Sequence, residues 1–345
     1  MSVQKTIVRL LMKLPSPALT ALAGGKPIVR DGRTLDARFA FIAASAAKRG
    51  LPETLTPAFM RQGNDLLTDL FAGPPEPDVT WRDLDVPLEG RTLTARLYHP
   101  KVQDSKAPLM VYYHFGGGVI GSVETCHAFV TMIAAMVGCP VLSVNYRLAP
   151  EHPWPAGLDD AIDSFEWGRA RAHEWGAPKG RASIGGDSMG GNFSAIIPLI
   201  LKERGLAQPD LQVLIYPATD IAAQDGSMQT CGEAYPLTGR IMAWFMAQYL
   251  PEGTDVADVR LSPAHASDLT GLAPALVVTA GHDPLRDQGD AYARLLAAAG
   301  CKVTHLTYDS LAHGFTAYTG AVPAADQACR EIARTIAKLS RGNGR

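Results

Sequence analysis

Ala182-Ser183-Ile184-Gly185-Gly186-Asp187-Ser188-Met189-Gly190-Gly191 is the passage from which the rest of this chain can be read. Small and apolar residues lead into it, and a stretch of helical character, Asn192–Lys202, leads away. Gly186-x-Ser188-x-Gly190 therefore sits where a strand turns sharply into a helix, the context in which a G-x-S-x-G pentapeptide has mechanical meaning. A serine at such a corner is held in a strained backbone conformation, and glycines on either side remove side chains that would collide with strand and helix. The new helix also points its free N–H groups at negative charge developing beside the serine. An inert serine in a glycine-rich βα turn is the bland alternative, and the pentapeptide alone does not decide between the two.

The pattern around this turn repeats along the chain. Runs rich in Val, Leu, Ile and Tyr occur at Leu109–Tyr113, Val141–Val144, Ala182–Ile184, Gln212–Tyr216, Ala275–Thr279 and Val303–Thr307. Helical stretches lie between them at Ala128–Val137, Gly157–Ala170 and Gln288–Ala299. Strands apolar on both faces with helical crossovers make a parallel sheet. Two earlier runs, Thr80–Val86 and Leu93–Tyr98, have no helix between them and read as an antiparallel edge. The expected fold class is α/β, a mostly parallel eight-stranded sheet flanked by helices.

Two regions depart from that alternation. Residues 1 to about 75 contain no convincing strand, but Leu35–Ala47 and Pro57–Phe71 have helical spacing, ended by Gly73-Pro74-Pro75. Between Tyr216 and Ala275 the apolar, aromatic Gly239–Leu250 stands alone. An insertion after a strand's C-terminal end overhangs the binding crevice of an open sheet. The expected organisation is an N-terminal helical cap segment over 1–75, a helical cap insertion over 217–260, and a catalytic domain over 76–216 and 261–345.

Composition narrows the function. The 345 residues are 47% hydrophobic and 19% charged with a net charge of -2, which is ordinary for a globular chain and argues against a nucleic-acid surface. No apolar run is long enough for a membrane span. Five cysteines with no C-x-x-C pair suggest a reducing compartment. Lys5 and Arg9 before Leu10-Leu11-Met12 imitate a secretion signal, but Lys13, Pro15 and Pro17 interrupt it, so a cytoplasmic location is expected.

A serine nucleophile needs a base and an acid, in the order Ser, Asp/Glu, His for a nucleophile at this kind of turn. Of His265, His282, His305 and His313, His305 falls inside a strand and His265 and His282 lack a strand-end acid in the required order, which leaves His313, in the loop just past a strand. Asp283 occupies the exit turn of Ala275–Thr279 and supplies the acid; Asp287 and Asp290 read as acids at a helix N-terminus. Backbone donors for an oxyanion are expected at Met189 and in His114-Phe115-Gly116-Gly117-Gly118, straight after a strand. Gly116-x-Gly118-x-x-Gly121 also matches a dinucleotide fingerprint, but Asn145 stands where a ribose-binding acid would be needed. No metal motif is present, and no cofactor is expected.

Together these residues resemble the hormone-sensitive-lipase-like branch of the α/β-hydrolases, the bacterial family IV esterases. The resemblance runs from about residue 80 to 318. It includes Asn145-Tyr146-Arg147-Leu148-Ala149-Pro150-Glu151-His152-Pro153-Trp154-Pro155-Ala156, the Gly186-Asp187-Ser188 turn of a GDSxG subgroup, Asp283-Pro284-Leu285-Arg286-Asp287 and His313-Gly314-Phe315. It implies an α/β-hydrolase fold with a helical cap, carboxylic-ester hydrolysis and a Ser188–Asp283–His313 triad. Family spacing assigns the oxyanion amides to Gly116, Gly117 and Met189, with Gly118 replacing Gly116 if the loop is shifted by one. Phe115 fills a usual glycine slot, and Met189 replaces the usual alanine and narrows the pocket.

Further expectations follow. Arg147 and Glu151 tie the loop beneath the oxyanion strand through buried hydrogen bonds, and Trp244, Phe245 and Tyr249 line a substrate pocket. The substrate is a small-molecule ester of short to medium chain, and self-association as a homodimer is left open. A non-catalytic ligand receptor on the same fold and an amidase are the competing readings. Activity should fall as pH drops through a histidine pKa, ordinarily about 6.5.

Overall fold

The computed structural model describes residues 3–342. Ten strands form in chain order: β1 (Val29–Arg30), β2 (Arg33–Thr34), β3 (Val79–Leu88), β4 (Arg91–Pro100), β5 (Leu109–Tyr113), β6 (Val141–Asn145), β7 (Ala182–Asp187), β8 (Gln212–Ile215), β9 (Ala275–His282) and β10 (Val303–Ala312). The helices are α1 (Val3–Leu11), α2 (Ser16–Leu22), α3 (Ala37–Arg49), α4 (Pro57–Phe71), α5 (His127–Val137), α6 (Ala156–Arg171), α7 (Met189–Glu203), α8 (Ser227–Thr230), α9 (Gly239–Tyr249), α10 (Arg286–Ala298) and α11 (Pro323–Gly342).

Eight strands make one sheet in the order β10-β9-β8-β7-β5-β6-β4-β3, the mostly parallel eight-stranded sheet expected from sequence. β5 to β10 pair in parallel, and β3 and β4 form the antiparallel edge that the missing helix between them predicts. Alternation sorts the side chains of β5. Met110 and Tyr112 join α5 and α11 on one face, while Leu109, Val111 and Tyr113 join α6 and α7 on the other. The central strands have water on neither side, which is why they read as unbroken apolar runs.

The order reverses beside β5: the chain steps from β5 to β6 on one side, then returns to β7 on the other. Loops leaving β5 and β7 consequently part, opening a crevice at the strands' C-terminal ends. Residues 216–274 contain no strand, as expected, and α9 covers nearly the span read from sequence.

Several features differ from the sequence reading, among them β7 and β9, which run on to Asp187 and His282. Residues 1–75 do contain strands: β1 and β2 pair as a short hairpin around Asp31-Gly32, both at positive φ (48° and 75°). The Asp-Gly dipeptide is the signal for that turn. β10 runs to Ala312 rather than Thr307, with a register shift between Tyr308 and Ala312, so His313 immediately follows the strand. The amphipathic α11 was not read from sequence. Among the described residues no helix is long and apolar enough to cross a membrane.

Candidate active site

Ser188 sits between β7 and α7 with φ 55° and ψ -113°, a conformation a non-glycine residue adopts only under restraint. The restraint is close packing of backbone. A Cβ on Gly190 would run into the Tyr113 carbonyl, and one on Gly186 into the backbone of Gly190. Ser188 N–H donates to the Ile215 carbonyl at 2.9 Å, fixing the corner to β8.

His313 reaches this serine from β10. Its Nδ1 lies 2.8 Å from Asp283 Oδ2 and its Nε2 3.0 Å from Ser188 Oγ. A carboxylate accepts, so Nδ1 carries the proton and Nε2 is left to accept from the serine hydroxyl. Asp283 is fully buried, and its second oxygen accepts from Leu285 N–H at 2.8 Å. Arg286 braces the same turn, donating to the Gly281 carbonyl (2.9 Å), Asp287 (2.8 Å) and Asp31 of the N-terminal hairpin (2.7 Å). The other candidate histidines are engaged elsewhere: His265 with Asp220 at 3.0 Å and His305 with Asp290 at 3.1 Å, while His282 is buried beside Arg30. Asp287 does lie in the first turn of α10.

One group escaped the sequence reading. Asp187 is wholly buried beneath the serine, and its Oδ2 accepts from Tyr216 and Thr316 hydroxyls, each at 2.9 Å. Its Oδ1 has no hydrogen-bond partner among the described residues. Burial pushes its carboxyl up to about 6, against the opposing pull of those hydroxyls. The Tyr216 ring packs on the His313 ring, centroids 4.8 Å apart. Only the position of Asp187 inside the pentapeptide could have hinted at this.

Gly116, Gly117 and Gly118 all have positive φ (129°, 61° and 73°). The Gly116 carbonyl accepts from Val119 and Ile120 N–H, both at 3.0 Å, closing a tight turn. The amides of Gly116, Gly117 and Met189 donate to no protein acceptor among the described residues. Gly116, Gly117, Ser188, Met189 and His313 line one cavity of about 1090 Å³; Gly118 instead lies under the Tyr249 ring. His114 stacks on Tyr146 behind the turn and donates from Nδ1 to the Phe115 carbonyl at 2.7 Å; burial lowers its imidazole to about 4, so it stays neutral.

The cavity lies between the sheet's crevice, helices α3 and α4, and the 217–246 segment. Met60, Met189, Met228, Met242 and Met246 all reach it, giving pliable apolar walls. Of the three aromatic residues expected there, Phe245 lines it, over Gly117. Trp244 turns away and donates to the Leu55 carbonyl at 2.9 Å, and Tyr249 is buried behind the glycine turn. Arg147 binds the buried Asp160, as a tie beneath the loop should. Glu151 does not: it is half exposed and grips Arg61 of α4, because the loop ends at the surface where α4 crosses it.

Comparison with known proteins adds an independent line. A family model described as alpha/beta hydrolase fold matches residues 110–317. The chain is 39% identical to the carboxylic ester hydrolase LipN of Mycobacterium tuberculosis, over 91% of this chain and 86% of that one. It is 37% identical to the carboxylesterase NlhH of the same organism, over 78% and 85%. An ester hydrolase from the metagenome of Lake Arreo, solved with a bipyridine phosphonate derivative, superposes with a TM-score of 0.81 at 38% identity, covering 86% of this chain and 95% of that one.

Proposed function

This chain belongs to the alpha/beta-hydrolase family, in its hormone-sensitive-lipase-like branch, and is a carboxylic-ester hydrolase; we propose that it cleaves short- to medium-chain esters through an acyl-enzyme on Ser188. The observation that carries this reading is the pair of hydrogen bonds at His313, 2.8 Å to Asp283 and 3.0 Å to Ser188. His313 takes the serine proton as Oγ attacks the ester carbonyl, and Asp283 holds the tautomer and stabilises the imidazolium. The amides of Gly116, Gly117 and Met189 bind the oxyanion; each such donor is worth about 3 kcal/mol to the barrier. The tetrahedral adduct collapses, the bond to the alcohol oxygen breaks, and His313 returns its proton to that oxygen. Water then attacks the acyl-serine with His313 as base, releasing the acid and restoring the hydroxyl. The sequence written this way uses no cofactor.

Within the branch we place the chain in the GDSxG subgroup, on Gly186-Asp187-Ser188. We read residues 1–75 and 217–260 as a two-part helical cap, supported by the helices of both segments lining the cavity above Ser188. Five free cysteines suit a reducing, cytoplasmic setting.

Acid-quenching a reaction with a nitrophenyl ester should leave the acyl group on Ser188 by peptide mass analysis. Ser188→Ala should lose that label and at least ~10⁴-fold in kcat/KM. An active Ser188→Ala enzyme overturns the proposal. Matched ester and amide substrates separate it from an amidase, which would turn over both.

A further inference from the structure

Arg61 lies on α4, among the N-terminal helices, and does not line the cavity. Its guanidinium nevertheless reaches the loop that carries Gly116 and Gly117. Nε donates to the Val119 carbonyl at 3.0 Å, and one terminal nitrogen donates to the Ala149 carbonyl at 2.9 Å. Both terminal nitrogens grip the Glu151 carboxylate, at 2.7 and 2.6 Å.

The two carbonyls belong to Val119 and Ala149, residues whose own N–H groups hold the glycine turn from either side. Val119 N–H donates to the Gly116 carbonyl at 3.0 Å, and Ala149 N–H donates to the Gly118 carbonyl at 2.8 Å. One rigid planar fork therefore spans both ends of the turn, something a lysine's single point charge cannot reproduce. The ion pair itself carries little stability, since the Arg61 and Glu151 side chains are 32% and 55% exposed. The arrangement is worth more as geometry: displacement of a catalytic group by about 1 Å can cost 10²-fold.

We propose that Arg61 is a positioning residue that sets the oxyanion amides, so that the seating of α4 on the sheet completes the catalytic site. The inference rests on the reading of Gly116 and Gly117 as oxyanion donors. It assigns the N-terminal helices a part in the chemical step as well as in covering the substrate.

The test compares an oxygen ester with its thiono counterpart (C=S in place of C=O), because amide donors aimed at an oxyanion favour the oxygen substrate. Arg61→Met should lower kcat for the oxygen ester by ~10- to 100-fold with KM within about threefold, and should shrink the oxygen-to-sulfur rate ratio by a similar factor. Arg61→Lys should fall between, and it carries the test if the methionine variant does not fold. Glu151→Gln, which leaves both carbonyl contacts intact, should stay within about threefold of the unaltered enzyme. An unchanged ratio in both arginine variants overturns the positioning role while leaving the oxyanion reading intact. A ratio near one in the unaltered enzyme overturns both. A loss confined to KM, or to thermal stability, also defeats the proposal.

Discussion

The turn that carries Ser188 and the turn that carries Gly116 and Gly117 face one cavity, but they are held from different sides. Backbone presses on backbone at Ser188: Gly186 and Gly190 lie against each other and against the Tyr113 carbonyl. At the other turn Gly116 still presses on the backbone of Ile120, but Gly117 and Gly118 are held by side chains from the helical segments. The Phe245 and Tyr249 rings cover Gly117 and Gly118, and Arg61 spans the loop's carbonyls. Sheet geometry thus sets Ser188, the proposed nucleophile, whereas the proposed oxyanion side depends more on helices packed over it. Backbone cannot yield without moving a strand; a ring or a guanidinium can.

That contrast breaks first at Gly190. Gly190→Ala should abolish activity, a loss of more than ~10⁴-fold in kcat/KM, because relieving the overlap with Tyr113 moves either β5 or α7 and Ser188 with it. An alanine variant keeping a tenth of the activity would show that the elbow is as pliable as its neighbour.

Charge buried under the elbow gives the next effect. The carboxyl of Asp187 lies near 6 in the folded protein against an ordinary value of 3.8. Between those values the folded state holds more protons than the unfolded one, so stability falls as pH rises from about 4 to 6 and is level above that. The shift corresponds to about 3 kcal/mol. Denaturant melts of Asp187→Asn should lack this slope; the same slope in both proteins would assign it elsewhere.

The glycine turn should respond differently. Gly117→Ala places a Cβ 2.6 Å from the Phe245 ring at φ 61°, and should cost about 30- to 100-fold in kcat. Adding Phe245→Ala should restore about tenfold, because the obstacle is a movable side chain. Failure of the double variant to recover would mean that backbone strain alone is the cause.

The smallest effect concerns Glu151, pulled down to about 2 chiefly by its hydrogen bonds from Arg61. Its sign opposes that of Asp187: the contribution is present above pH ~4.5 and lost as pH falls toward 2. Being exposed, the pair should change stability by well under ~1 kcal/mol, measured as the difference between Glu151→Gln and the unaltered protein at pH 7.

The same contrast explains what could be read in advance. Strands such as Leu109–Tyr113 and Gln212–Ile215 are buried on both faces, so composition betrays them, and the order of Ser188, Asp283 and His313 follows from the strand ends. Most of β10 alternates between partial burial and exposure, from Thr304 to Ser310, which blurs its far limit. Arg61 meets Glu151 across 90 positions, and no local pattern reports such a meeting. Asp187 gives no outward sign of burial because its partners, Tyr216 and Thr316, come from segments far away in the chain. Trp244 and Tyr249 share the apolar character of Phe245, and only packing separates the one that faces the cavity.

The tie between Asp31 and Arg286 has a consequence for how the polypeptide is made. Asp36 N–H likewise donates to the Ser310 carbonyl, and the Phe71 carbonyl accepts from Gly320 N–H. A ribosome delivers Asp31, Asp36 and Phe71 before their partners, which emerge some 250 positions later. Until those partners are made this segment has nothing to dock against, and its apolar faces stay uncovered, a delay in which nascent chains are open to aggregation or chaperone capture.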